Sequence, residues 1–167
     1  MKRRHFALGA ATALALGACS RKPTKFQTYN GPEVTSVIIK KGERRMYLLN
    51  NDQVIKDVEF DLGFAPVGHK QFEGDGRTPE GLYFIDRRNP NSLYHLSLGI
   101  SYPSPADIEA ARAFNRSPGG DIFIHGEPNA GAISRRDWTA GCIAVKNREM
   151  EQLYAMVRDG TPVFLMP

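Results

Sequence analysis

A mainly β domain with two short helices, closed as a sandwich or an open barrel, is the fold class that the sequence predicts. Short runs rich in β-branched and aromatic residues recur from Val34 to Met166, turn-forming Gly and Pro separate them, and only two segments carry a helical period. Val34 to Lys40 is the first run and Arg44 to Leu49 the second. The intervening Lys41-Gly42-Glu43 is a turn signal, so the two read as a hairpin. Val54, Val58 and Phe60 lie in a third run. Gly81 to Asp86, Leu93 to Ile100, Asp121 to Ile124, Cys142 to Val145 and Pro162 to Met166 complete the strands. One helix starts at Ser104-Pro105-Ala106-Asp107, which offers a capping serine, a proline for the first turn and an early acid. The other runs from about Arg148 to Arg158, where Met150, Leu153, Tyr154 and Val157 make an apolar stripe and Gly160 is the expected stop. With so few helices between the strands, a parallel sheet is the less expected arrangement.

At 167 residues the chain has room for one domain with a sizeable core and a short leader. The net charge of +4 is unevenly placed. Lys2, Arg3, Arg4, Arg21, Lys22 and Lys25 lie near the start, whereas every Asp and Glu lies beyond them, so the body is slightly acidic and no nucleic-acid partner is expected. Residues 1–18 read as a signal peptide, with a basic start and an apolar stretch from Phe6 to Leu16 that is too short to span a bilayer comfortably. Leu16-Gly17-Ala18-Cys19 resembles the lipobox at which bacterial lipoproteins are cut before a cysteine that is then lipidated. Arg3-Arg4-His5-Phe6 also has some likeness to a twin-arginine export signal, and the export route stays open. Residues 19–33 are then a lipidated cysteine and a tether, and residues 34–167 the domain. The resemblance implies an exported, periplasmic protein held on a membrane by its lipid, with Ser20 favouring the outer membrane.

Lipidation of Cys19 leaves Cys142 as the single remaining thiol, which excludes an internal disulfide. A free cysteine in an oxidising compartment is a liability unless it is buried or used. Gly141 precedes it, and a glycine there lets backbone amides approach a substrate closely enough to hold an oxyanion. A thiol also needs a base. His125 ends one strand and Cys142 opens another 17 residues later, so the loop between them can bring both to adjacent strand ends. Taken alone, one Cys and one His are more often a buried small residue and a hydrogen-bonded structural histidine than a catalytic pair. His69, His95, His125 and Cys142 lack paired metal-ligand spacing, so no metal site is expected.

Ile124-His125-Gly126, followed by Thr139-Ala140-Gly141-Cys142-Ile143 and then Asn147, resembles the catalytic signature of the YkuD-type L,D-transpeptidases. Thr78-Pro79-Glu80-Gly81 resembles the Thr-Pro-x-Gly turn upstream in that domain. The stretch from Gly63 to Arg77 looks most like the YafK/ErfK-like branch. The resemblance spans about residues 35–166 and implies a β-sandwich-like domain without a metal or organic cofactor. By it, Cys142 attacks the diaminopimelate carbonyl of a peptidoglycan stem peptide and forms a thioester. His125 is the base and then the acid, and the Gly141 and Cys142 amides hold the oxyanion. Gly126 and Thr139 are implied as substrate contacts. Many members carry His before the Gly-Cys pair and Arg or Asn two residues after the Cys, where this chain has Ala140 and Ala144. Losing an arginine removes a two-pronged carboxylate clamp, and Arg77, Arg135 and Arg136 are the candidate replacements.

Three functions remain open on these residues. The first is a transpeptidase using an amine acceptor. The second is a hydrolase of the same bond, releasing a stem-linked amino acid or protein such as a wall-linked lipoprotein. The third is a wall-binding lipoprotein without activity.

Overall fold

A computed structural model describes residues 24–133 and 135–167. The signal peptide, Cys19 and the first part of the tether lie outside the described residues. From Lys25 the remaining tether is seated on the domain, where Lys25 Nζ donates to the carbonyls of Pro90 and His95 and Gln27 donates to Glu151.

The strands are β1 (Ser36–Lys40), β2 (Arg45–Asn50), β3 (Gln53–Glu59), β4 (Gly81–Asn89), β5 (Ser97–Ile100), β6 (Phe123–His125), β7 (Ile143–Ala144) and β8 (Pro162–Met166). The helices are α1 (Pro105–Arg112) and α2 (Asn147–Met156). The eight strands form one sheet in the order β3-β2-β1-β8-β4-β5-β6-β7. Its two ends meet, because Asp61, just beyond β3, exchanges backbone hydrogen bonds with Ala144 of β7 at 2.8 and 2.9 Å. The sheet is thus a nearly closed barrel, and this bridge, with a second between Gly63 and Thr139, satisfies part of an edge that would otherwise expose unpaired amides.

The hairpin expected at the start is present as β1 and β2, antiparallel from Ser36↔Leu49 to Lys40↔Arg45. Two pairings are parallel, β1 with β8 and β6 with β7, the remainder being antiparallel. Strand β4 is longer than the expected Gly81 to Asp86 and makes the corner. Gly81 to Phe84 pair with β8, whereas Ile85 to Asn89 pair with β5, across a register shift between Ile85 and Arg87. Such a bulge turns a strand sharply enough to pass from one sheet direction to another. Alternation in β1, β2 and β8 buries Val37, Ile39, Met46, Leu48, Val163 and Leu165 in the core, which Ile85, Leu98, Ile100, Ile124 and Ile143 continue. The α2 stripe caps it with Met150 and Leu153. This helix stops at Met156 rather than Arg158, because Val157 is already extended at φ −92° and ψ 130°. The capping box at α1 is complete: Ser104 Oγ accepts from Asp107 N and Asp107 Oδ2 accepts from Ser104 N.

The strand expected from Leu93 begins only at Ser97. His95 holds a left-handed φ of 67°, and Asn129 takes the local amides instead, its Oδ1 accepting from His95 N and its Nδ2 donating to Ser92 O. The segment is a loop, and it walls the candidate site.

Candidate active site

Parallel pairing of β6 with β7 sets Ile124 beside Ile143, so Cys142, immediately before β7, lies next to Phe123. A cleft of about 300 Å³ opens there, lined by Cys142, His125, Phe123, Asp121, Ser97, Tyr94 and the turn from Asn89 to Leu93. The thiol and the imidazole thus share one cavity. Cys142 Sγ lies 3.4 Å from the carbonyl oxygen of Asp121.

The His125 ring is held on three sides. Its Nδ1 lies 2.7 Å from the Gly126 carbonyl, which can only accept, so Nδ1 carries the proton and Nε2 keeps its lone pair. Tyr94 lies against one face with centroids 4.5 Å apart, and Trp138 meets the ring edge-on at 5.6 Å. Burial lowers the His125 pKa, partly opposed by the Gly126 carbonyl. Burial raises that of Cys142, as does the Asp121 carboxylate, against the Phe123 N–H and the Lys70 ammonium. Both shifts favour a neutral thiol and a neutral imidazole in the cleft, with the thiol directed at the Asp121 carbonyl. Alkylation of Cys142 by iodoacetamide is therefore expected to be slow at about pH 7 and to climb through the alkaline range. A rate that stays flat from about pH 6 to 9 would instead reveal a thiolate–imidazolium pair.

Thr139, Gly141 and Gly126 are close to this centre but serve its shape. Thr139 Oγ1 donates to Cys142 O at 2.7 Å and accepts from Gly141 N at 3.2 Å. The Gly141 amide is therefore already occupied. Of the two amides expected to receive an oxyanion, that of Cys142 has no acceptor among the described residues. Gly141 takes φ +133°, and a Cβ on it would come within 2.7 Å of Arg77 O. Gly126 is equally tight, since a Cβ there would lie 2.5 Å from Asn147 Oδ1. Asn147 Oδ1 in turn accepts from Glu127 N, fixing the start of the long loop.

The arginines fall elsewhere. Arg77 contributes its backbone carbonyl beneath Gly141, while its guanidinium lies over Gly68. Arg136 pairs with Glu59 at 2.9 Å and Asp61 at 3.7 Å, and Arg135 is exposed. None of the three lines the thiol cleft. Arg135 and Arg136 are near Cys142 along the chain, yet one is exposed and the other is paired with Glu59.

The loop from Gly63 to Gly81, which the sequence singles out by its Thr-Pro-x-Gly turn, supports the segment before Cys142 through contacts that the sequence did not show. Thr78, fully buried, donates from Oγ1 to Gly141 O at 2.8 Å. Its own carbonyl accepts from Lys41 Nζ, which also reaches Gly68 O and Glu80 Oε1. Lys41 is 2% exposed, and burial lowers its pKa despite Glu80. Asp75 organises the same loop by accepting from Gln71 N, Phe72 N, Arg77 N and Lys70 Nζ. On the other side, Arg44 grips Asp137 with two nitrogens, and Asp137 accepts from Leu62 N, which steadies the approach to Trp138. Against the cost of burial, these donors hold Asp137 below the usual carboxylate range. Thr78→Val is expected to cost about 1–3 kcal/mol by leaving Gly141 O unpaired, and to lower the Cys142 alkylation rate, with Thr78→Ser restoring both. Thermal unfolding and alkylation kinetics on the three proteins check this.

The profile of the YkuD L,D-transpeptidase catalytic domain matches residues 35–165. The chain belongs to this family. Within the YkuD family, the chain is 27% identical over 150 residues to the YafK protein of Escherichia coli (strain K12), covering 87% of this chain and 51% of YafK. The helical cell shape determining protein Pgp2 of Campylobacter jejuni, as its K307A mutant, superposes with a TM-score of 0.62 at 28% identity. That match covers 81% of this chain and 48% of Pgp2. Bd1075 of Bdellovibrio bacteriovorus superposes at 0.55 with 25% identity, over 80% and 48% of the two chains. The chain thus spans about half the length of these relatives. The nearly closed, mainly β barrel with two helices is the YkuD fold. The two departures from the family pattern also have places in it: Ala140 is exposed, and Ala144 is buried at the Asp61 bridge. Ala144 faces a separate cavity of about 190 Å³ that it shares with Glu59, Asp61, Glu127, Trp138 and Lys146. Among the described residues, no group of three His, Cys, Asp or Glu side chains is placed to hold a metal ion.

Proposed function

We propose that the chain is a peptidoglycan-modifying cysteine acyltransferase acting at the diaminopimelate carbonyl of stem peptides. The observation that supports this most strongly is the shared cleft, where a half-buried thiol meets an imidazole whose Nδ1–H is committed to Gly126 O. Cys142 Sγ forms a bond to the carbonyl carbon while its proton passes to His125 Nε2. The oxyanion is held by the Cys142 amide. Collapse breaks the carbon–nitrogen bond, the His125 proton leaves with the departing amine, and a thioester remains. A second amine, or water, then releases the acyl group. Proton transfer of this kind contributes about 10²- to 10⁴-fold.

Export and lipidation at Cys19 complete the reading, which places the domain in the periplasm on a membrane, most naturally the outer one. The anchor is tested by the mass of the mature N-terminal peptide, which gains acyl chains in wild type and none in Cys19→Ala.

The reaction is tested by incubating the protein and its Cys142→Ser variant with disaccharide-peptides from digested cell wall. Mass spectra showing new cross-links or exchanged D-amino acids only with wild type support the transpeptidase. Loss of a stem-linked amine with gain of water supports the hydrolase. Identical spectra from both proteins overturn the enzymatic reading in favour of a binding domain.

A further inference from the structure

Beside the thiol, the cleft carries an ion pair for which stability gives little reason. Arg87 Nη2 lies 2.9 Å from Asp121 Oδ1, with side chains 44% and 87% exposed. Pairs this exposed contribute about 0–1 kcal/mol. The fold nevertheless makes room for it. Arg87 is registered opposite Gly99 on β5, and Gly99 opposite Phe123 on β6, so the three form one row across the sheet. The Arg87 side chain crosses Gly99, where a Cβ would overlap Arg87 Cγ and come within 2.8 Å of Nε. Its guanidinium then stacks on the Phe123 ring, 4.6 Å from the centroid. A strand-interior glycine is costly by itself and marks a close approach. Here the approach is that of the arginine. Asp121 is held at φ +54°, its backbone carbonyl is the one facing Cys142 Sγ, and it lines the thiol cleft, so the aspartate of the pair links Arg87 to the site.

We propose that Arg87 and Asp121 form the subsite that recognises an amino-acid zwitterion on the substrate, Arg87 taking its carboxylate and Asp121 its ammonium. This rests on the stem-peptide reading, in which the diaminopimelate side chain ends in such a group. The guanidinium is aligned in advance by the glycine track and the ring, so little rotamer freedom is lost when it engages two carboxylate oxygens. Asp121 needs only to swing from Arg87 to the incoming ammonium, while the guanidinium, which also lies 3.8 Å from Asp86 Oδ2, turns its freed nitrogen to the carboxylate. Such a pair supplies, beside Phe123, a carboxylate clamp of the kind that Ala144 does not.

The test measures dissociation constants by calorimetry for the full chain carrying Cys142→Ala, which prevents turnover. The probes are two stem tripeptides that differ only in whether the side-chain carboxylate of diaminopimelate is free or amidated. The free acid is expected to bind about tenfold or more tightly, and Arg87→Gln, added to Cys142→Ala, to bring the two within about twofold of each other. Far-UV circular dichroism and thermal unfolding of Arg87→Gln that match the parent show that the fold is intact. Binding without discrimination in the parent, or discrimination that survives Arg87→Gln, overturns the subsite alone. Binding of neither peptide overturns the subsite together with the stem-peptide reading.

Discussion

Replacing His125 by asparagine is expected to lower kcat/KM by about 10²- to 10⁴-fold while leaving the protein folded. The asparagine amide is a small polar group that can still donate toward Gly126 O, but it has no basic nitrogen to accept the thiol proton. Because His125 is buried and its pKa lowered, its neutral form is populated down to below its ordinary value. The wild-type acid limb of kcat/KM is accordingly expected below about pH 6.5, since protonation of Nε2 removes the base. In the variant that limb disappears along with most of the activity. Steady-state rates across pH, with Tm recorded in parallel, make the measurement. A variant with wild-type rates would remove His125 from the mechanism.

Gly141→Ala should be the most disruptive single methyl in the loop before the nucleophile. Its φ of +133° is one that L side chains rarely adopt, and the new Cβ would lie 2.7 Å from Arg77 O and 3.5 Å from Ile122 Cδ1. Backbone strain of this kind costs about 1–3 kcal/mol, to which displacement of the Arg77 carbonyl adds. Relief of the clash must move either the Thr78–Gly141 hydrogen bond or Cys142 itself. A displacement of about 1 Å at the nucleophile costs on the order of 10²-fold in rate. Gly131→Ala is the control: it has φ +89° as well, but nothing lies within 4 Å of its Cβ. Denaturant unfolding should show Gly141→Ala clearly less stable than Gly131→Ala, and turnover should fall only in the former. Equal losses in both would mean that backbone strain alone matters and that the Arg77 contact does not position the thiol.

What could be read from the sequence was local. The β1–β2 hairpin follows from its turn residues, and α1 follows from Ser104, Pro105 and Asp107, whose capping box lies within one turn. The placement of His125 at the end of one strand and Cys142 just before another was legible from patterns of a few residues, whereas the roles proposed for them come from the family resemblance. What escaped depends on contacts distant in the chain. The corner in β4 arises because one strand pairs with β8 and β5 in succession, and the parallel β1–β8 pairing joins the two ends of the domain. Tyr94 and Trp138 meet the imidazole only through folding, as Thr78 meets Gly141 across 63 positions. Arg135 and Arg136 show the converse, since nearness to Cys142 along the chain did not put them in the lining of its cleft. Arg87 gave no local sign, because its meaning lies in Gly99 and Phe123 on neighbouring strands.

The central claim is that Cys142 carries the acyl group. Intact-protein mass spectrometry of the enzyme, quenched in acid during turnover of a disaccharide-tetrapeptide, tests it most directly. The expected result is an adduct equal to the substrate minus its leaving amine, located by digestion on the peptide containing Cys142, released by hydroxylamine and absent from Cys142→Ala. Turnover that persists in Cys142→Ala would contradict the account.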